Sequence, residues 1–188
     1  MVLPITLRAC HAGRKSARPL TPPPPRCTHG RVSLVVRASP FHGRGVFTTR
    51  RIPAGTRVLE YTGERISHAE AARRYDDERA PHAHTLLFTV DRSTVIDGRV
   101  GPGIARWVNH SCEPNCATFL DAGRIFIETI RDVPAGAELT YDYRMHRPRP
   151  LPRDWRRRYA CRCGARRCRG SMLARPPRRP STPAVGRR

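Results

Sequence analysis

Arg106-Trp107-Val108-Asn109-His110-Ser111-Cys112-Glu113-Pro114-Asn115-Cys116 gathers amide, imidazole, hydroxyl and thiol groups around one proline-bent loop. The short apolar run from Ile104 to Val108 leads in and reads as the end of a buried strand. Pro114 forbids a helix from continuing past Glu113. Polar side chains collected where a buried strand ends mark a site. On this stretch alone a second reading stands beside that one: Asn109, Ser111 and Asn115 satisfy turn backbone, and Cys112 and Cys116 are small core residues.

The remaining cysteines bear on the choice. The chain has seven, Cys10, Cys27, Cys112, Cys116, Cys161, Cys163 and Cys168, an odd count with the last three inside eight residues. Such clustering favours a metal over a disulfide framework. Cys161-Arg162-Cys163-Gly164 and then Cys168 supply three thiolates, whereas a structural zinc takes four ligands in tetrahedral geometry. The fourth has to come from elsewhere in the fold, and the opening loop offers Cys112 or Cys116. Either choice clamps the tail across that loop, so metal binding becomes folding energy for the tail.

Working outward, the elements are short and β-like. Val32–Val36 and Val46–Thr48 flank Ser39-Pro40-Phe41-His42-Gly43-Arg44-Gly45, whose two glycines permit close backbone approach. Ile52-Pro53-Ala54-Gly55 is a turn leading into the strand Val58–Tyr61, and the arrangement recurs at Val133-Pro134-Ala135-Gly136 before Leu139–Tyr143. Ser67-His68-Ala69-Glu70 has the capping-box pattern and opens one helix, expected to reach about Arg79. Further strands are expected over Thr85–Val90, Thr94–Asp97, Ala117–Leu120 and Arg124–Thr129, with a brief helical piece near Trp155–Tyr159. The fold class is mostly β, built of small sheets with one inserted helix.

The formal net charge is +21, unevenly spread. Residues 1–30 hold five basic groups and no acid, 31–144 hold sixteen arginines against fourteen acids, and 145–188 hold fifteen arginines against Asp154 alone. Charge confined to flanks concerns partners and solubility rather than fold. Lys15 is the one lysine, which points to a compositional bias rather than to a substrate. No stretch approaches the roughly 20 apolar residues of a membrane span, and Val2–Leu7 is too short and proline-broken for a signal-peptide core. A soluble, intracellular monomer is expected, cytoplasmic if bacterial and nuclear or chromatin-bound if eukaryotic or host-directed.

Five stretches in order carry a family resemblance: His42-Gly43-Arg44-Gly45-Val46-Phe47, Glu60-Tyr61-Thr62-Gly63-Glu64, Arg106-Trp107-Val108-Asn109-His110-Ser111-Cys112, Glu138-Leu139-Thr140-Tyr141-Asp142-Tyr143, and Cys161-Arg162-Cys163-Gly164 with Cys168. From about Arg31 to Leu173 the chain resembles the SET-domain protein-lysine N-methyltransferases with a post-SET zinc segment. The resemblance implies a SET-domain fold of small curved β-sheets with a β-clip, a C-terminal pseudo-knot tucking Leu139–Tyr143 against Asn109–Cys112, and a zinc-bound post-SET tail. Together with composition, which reads as disordered over 1–30 with its run Pro22–Pro25 and over the basic tail 174–188, it divides the chain into a catalytic domain 31–144, an arginine- and proline-rich linker 145–156 and a zinc segment 157–173. It also implies S-adenosyl-L-methionine held by Gly43, Arg44, Gly45, Arg106, Asn109, His110 and Tyr143. Tyr61, Tyr141 and Tyr143 would line a lysine channel, with Tyr143 nearest the transferred methyl and Tyr141 at the position that limits methyl number. Zinc would be held by Cys112, Cys161, Cys163 and Cys168, leaving Cys116 without a necessary role. Trp107 stands where the family more often has phenylalanine.

Methyl transfer from a sulfonium to an amine is an in-line displacement, in which a protein mainly positions two reactants and excludes water. Tyrosine suits the channel because its ring is an apolar wall and its hydroxyl orients an amine. Deprotonating a lysine at pH 7 costs about 4.6 kcal/mol from a reference pKa of roughly 10.4. A dry channel beside a positive sulfonium reduces that cost through desolvation and like charge. The expected substrate is a lysine-presenting protein, a histone or another basic protein. The competing reading is a non-catalytic, zinc-stabilised module whose basic tail holds nucleic acid or another polyanion.

Overall fold

The computed structural model describes residues 32–75, 86–148 and 150–176. The expectations placed on residues 1–30, on Cys10 and Cys27, and on 177–188 lie outside the described residues. Strands β1 (Leu34–Ala38) and β2 (Arg44–Thr48) form an antiparallel pair, with Leu34 opposite Thr48 and Ala38 opposite Arg44. Their connection is the glycine-bearing loop. A three-stranded antiparallel sheet runs in the order β3 (Arg57–Tyr61), β9 (Arg124–Thr129), β8 (Cys116–Asp121). Another runs β4 (Glu64–Ser67), β6 (Thr94–Asp97), β5 (Leu87–Thr89). The fourth is a parallel pair of two-residue strands, β7 (Asn109–His110) and β10 (Thr140–Tyr141).

The recurring proline turns pair with each other. Ile52 and Val133 exchange both backbone hydrogen bonds at 2.8 Å. The glycine closing each turn has positive φ, +75° at Gly55 and +81° at Gly136, a conformation L side chains resist. Gly55 donates its N–H to Thr129 and Gly136 donates to Thr48, each at 2.7 Å. Two turns therefore tie β2 to β9 through the middle of the chain. Around them sits the core of Val46, Ile52, Phe88, Val108, Ile125, Ile127, Val133 and Leu139, all 4% exposed or less.

Parallel pairing of β10 with β7 is what the expected tuck requires. Ser111 donates to the Tyr141 carbonyl at 3.1 Å, so the opening loop and the tyrosine-bearing segment are stitched by main chain. Asn115 extends the stitch with its side chain: its Nδ2 donates to the Glu138 carbonyl and its Oδ1 accepts from Thr140 N, both at 2.8 Å. An amide that mimics a peptide unit thus replaces a missing strand neighbour.

Three local expectations change. Ile104–Trp107 is a 3-10 turn rather than a strand end, opened by Gly103; four residues are too few for periodicity to separate the two. Helix α1 spans His68–Arg74, short of Arg79. Ser67 caps it as expected, accepting from Glu70 N at 3.1 Å, but Glu70 turns its carboxylate to Arg73 and Arg74 instead of back to the cap. Tyr75 then leaves helical geometry, and its hydroxyl donates to the fully buried Asp97 at 2.6 Å. Met145, expected in a linker, is buried: it pairs with Leu173 and joins Tyr159, Met172 and Leu173 in a second core. Helix α2, Trp155–Arg158, lies where a brief helical piece was expected. Among the described residues no helix is long and apolar enough to cross a membrane.

Candidate functional site

Three tyrosines from two motifs converge. Tyr61, at the end of β3, has its ring centroid 5.0 Å from that of Phe88, which lies 6.1 Å from Tyr141; Tyr141 lies 4.9 Å from Tyr143. Two of the phenols are already committed to main chain. Tyr61 donates to the Leu86 carbonyl at 2.8 Å and Tyr143 to the Val108 carbonyl at 3.0 Å. The Tyr141 hydroxyl has no hydrogen-bond partner among the described residues. Burial pushes all three phenols well above their ordinary range, so they stay neutral donors and acceptors at physiological pH. Gly98 makes room for this wall, since a Cβ there would stand 2.5 Å from the Tyr61 hydroxyl.

The glycine loop is held from below by one amide and one carboxylate. Asn109 Nδ2 donates to the carbonyls of Arg44 (2.9 Å) and His42 (3.3 Å) and to Glu138 Oε1 (2.7 Å). Ser39 Oγ donates to Glu138 Oε2 at 2.9 Å while accepting from Phe41 N, so the loop closes on itself and on Glu138 together. Gly45 faces this carboxylate; a Cβ there would lie 2.2 Å from Glu138 Oε1. Gly43 has φ +52° and open space where a Cβ would go. A tightly pinned loop with one open glycine face is a cradle a flat or extended ligand can approach.

Arg106 and His110 are turned toward the protein. Arg106 Nη1 donates to the Gly101 carbonyl at 2.7 Å and reaches those of Arg99 and Gly98. Its guanidinium and that of Arg44 lie over Trp107, at 5.1 and 5.3 Å from the ring centroid. His110 Nδ1 accepts from Tyr143 N at 3.1 Å. Burial lowers its pKa to about 4, which keeps the ring neutral and able to accept there.

The fourth cluster is sulfur. The Sγ atoms of Cys112, Cys161, Cys163 and Cys168 all lie within 4.8 Å of one another. Cys112 is 3.7 Å from Cys161 and 4.0 Å from Cys168. Zn–S bonds of roughly 2.3 Å in a tetrahedron give edges of about 3.8 Å, so these thiols fit that ion. Burial acts to raise the Cys163 thiol, but backbone N–H groups from Cys112 and Ala165 outweigh it and bring it down to about 7. Cys116 stands apart in the main core at 1% exposure, where burial pushes its thiol up to about 12.

The structure therefore brings Tyr61, Tyr141 and Tyr143 together, sets Gly43, Arg44 and Gly45 over Asn109, and assembles the four thiols. Sequence reasoning did not assign Glu138 or Phe88 a part, nor the pair Asp142 and Arg169, and it gave Asn115 only the satisfaction of turn backbone, where the structure has it bridging to the Glu138 and Thr140 main chain. Glu138 sits inside a quoted motif, but its partners, Ser39 and Asn109, are 99 and 29 positions away.

Comparison with known proteins places these elements. A family model described as SET domain matches residues 43–144. The chain is 40% identical over 139 residues to the "Histone-lysine N-methyltransferase, H3 lysine-4 specific" of Saccharomyces cerevisiae, covering 71% of this chain and 12% of that protein. It is 37% identical over 137 residues to the "Histone-lysine N-methyltransferase trithorax" of Drosophila virilis, covering 70% of this chain and 3% of that protein. The chain thus spans a small fraction of the length of the relatives it matches.

Proposed function

This chain belongs to the SET-domain family, and from that premise we propose that it methylates lysine side chains of a protein substrate, with S-adenosyl-L-methionine as donor. Histone H3 is the first substrate to test, because the similar proteins carry histone-lysine names. The observation that carries the reading is the tyrosine wall with a single uncommitted hydroxyl, on Tyr141, set beside a pinned glycine loop. The donor, when bound, supplies an electrophilic methyl group on a sulfonium.

Every other part of the work falls to the chain. The rings of Tyr61, Phe88, Tyr141 and Tyr143 exclude water and favour the neutral amine over the ammonium. Tyr141 offers its hydroxyl to the amine, while Tyr143 has its own fixed on the Val108 carbonyl, which holds its ring beside that of Tyr141. Asn109 holds the loop carrying Gly43, Arg44 and Gly45, the surface for the donor. Arg106 and His110 act by holding the 98–101 loop and the Tyr143 backbone. Cys112, Cys161, Cys163 and Cys168 would hold a zinc ion, whose binding would add to the folding energy of the tail. The exposed Arg162, Arg166 and Arg167, without a carboxylate partner among the described residues, suit weak association with the phosphates of nucleic acid or chromatin.

The deciding experiment incubates the chain with methyl-labelled donor and recombinant core histones, then maps labelled lysines, with Tyr143→Phe alongside. Label on a lysine, appearing about tenfold more slowly in the variant, supports the reading. No label in wild type, together with tight salt-sensitive DNA binding, supports the polyanion-binding module.

A further inference from the structure

Arg169 is a donor on two sides. Its backbone N–H lies 3.3 Å from Cys112 Sγ, one of the four clustered thiols. Its guanidinium reaches the other way and makes a two-pronged contact with Asp142, Nη2 to Oδ1 at 2.7 Å and Nη1 to Oδ2 at 3.0 Å. Asp142 stands between Tyr141 and Tyr143, so one tail residue touches both the thiol cluster and the segment that carries two channel tyrosines. Both side chains are well shielded, at 14% and 17% exposure. A fork-to-carboxylate pair in such a place is strong and directional.

The carboxylate also governs how the chain leaves the site. Arg144 has φ +46°, a left-handed backbone that few non-glycine residues adopt. Its N–H points at Asp142 Oδ1 at 3.3 Å and its Nε lies 3.4 Å from Oδ2. The turn delivers Met145 to its pairing with Leu173. On the inner side, His110 Nδ1 is 3.6 Å from Oδ1 and accepts from Tyr143 N. A displaced Asp142 therefore disturbs Tyr143 through its own peptide link and through His110.

We propose that the Arg169–Asp142 pair is a positioning device that couples the docked tail to the channel tyrosines, so that catalysis depends on tail docking through this contact in addition to the metal. The proposal rests on the methyltransferase reading for its catalytic consequence, but its structural half stands independently. Arg169→Gln removes the fork and leaves all four thiols in place. Asp142→Asn removes the opposite charge, and the double variant places two neutral amides face to face.

The test measures three quantities on the full chain: bound zinc per chain, amide hydrogen exchange across residues 140–144, and turnover on a histone peptide. The expected result for Arg169→Gln is unchanged zinc, faster exchange confined to 140–144, and a fall in kcat of about tenfold to a hundredfold, with little change in peptide KM. Arg169→Lys, which keeps the charge but not the fork, falls between. The double variant recovers part of the loss, because neither partner is left as an unpaired shielded charge. Unchanged exchange over 140–144, exchange that rises only together with zinc loss, or single effects that simply multiply in the double variant would overturn the coupling. If wild type transfers no methyl group, the function proposed above fails, and the exchange and zinc measurements still decide this contact.

Discussion

Replacing Gly45 by alanine tests how the glycine loop is built. The added Cβ would stand 2.2 Å from Glu138 Oε1, 2.7 Å from its Cδ and 3.1 Å from the Phe47 ring. To reach ordinary contact the carboxylate must retreat by about 1 Å. That movement takes Oε1 beyond hydrogen-bonding reach of Asn109 Nδ2, now at 2.7 Å, and strains the 2.9 Å bond from Ser39 to Oε2. Hydrogen bonds to a charged group contribute roughly 1.5–3 kcal/mol each. Glu138 is only half-buried, so water replaces part of what is lost. The net cost comes to about 2–3 kcal/mol by denaturant unfolding, with weakened binding of S-adenosylhomocysteine by calorimetry because the loop is no longer seated. Gly43→Ala is the contrast: it meets no atom within 4 Å but keeps φ +52°, so its cost is about 1–2 kcal/mol of backbone strain alone. In a Glu138→Ala background the Gly45→Ala penalty shrinks to about 1 kcal/mol or less, because the carboxylate is gone and only the Phe47 ring edge, at 3.1 Å, has to give. An equal penalty in both backgrounds would refute the account, and so would a Gly45→Ala cost under about 0.5 kcal/mol.

Tyr143→Phe leaves donor affinity near wild type and lowers kcat by about tenfold, equivalent to ~1.4 kcal/mol of barrier, and it leaves the Val108 carbonyl unpaired; unchanged kcat removes the hydroxyl from the mechanism. Cys112→Ser reduces bound zinc, whereas Cys116→Ser keeps zinc and costs about 1–3 kcal/mol of stability by placing a hydroxyl at a 1% exposed core position; metal analysis with the opposite ranking identifies the wrong thiol. The rate of methyl transfer, followed as kcat/KM from pH 6 to 9, rises with pH as the substrate lysine loses its proton. Because burial raises Tyr61, Tyr141 and Tyr143, no channel phenol ionises in that window, and a falling limb below pH 9 would show that one does.

What could be read from the chain was whatever is written in adjacent residues. The glycine-bearing loop, the Asn109-His110 pair, the two tyrosine motifs and the thiol triplet are each contiguous, and the paired Pro-Ala-Gly turns announced themselves by repetition. Their mutual bonding did not, since Ile52 and Val133 are distant in sequence and their contact is pure main chain. Ile104–Trp107 was misread because an apolar run of that length fits a strand or a 3-10 turn equally. Residue type carried the chemistry, while partnership carried the geometry.

Arginine shows the limit most sharply. Thirty-five of the thirty-six basic side chains are arginine, so composition alone makes every one of them look like background. The structure separates them by what they face. Arg57 and Arg124 lie over Phe126 with carboxylate partners in Glu128 and Glu60, a stabilised outer face of the β3–β9–β8 sheet. Arg74 bridges Glu64 and Glu70 on the surface, where such pairs contribute little, and its Nη1 also reaches the buried Asp97 at 3.3 Å, a structural rather than a functional contact. Arg169 alone among these joins two functional elements at low exposure. No property of the stretch Cys168-Arg169-Gly170 distinguishes it from Arg166 or Arg167 nearby; the distinction is the carboxylate of Asp142, 27 positions earlier, between the two tyrosines. A guanidinium with a shielded, two-pronged partner is costly to remove, and one facing water is not, so substitution of Arg166 or Arg167 is expected to leave turnover on a peptide unchanged where substitution of Arg169 does not.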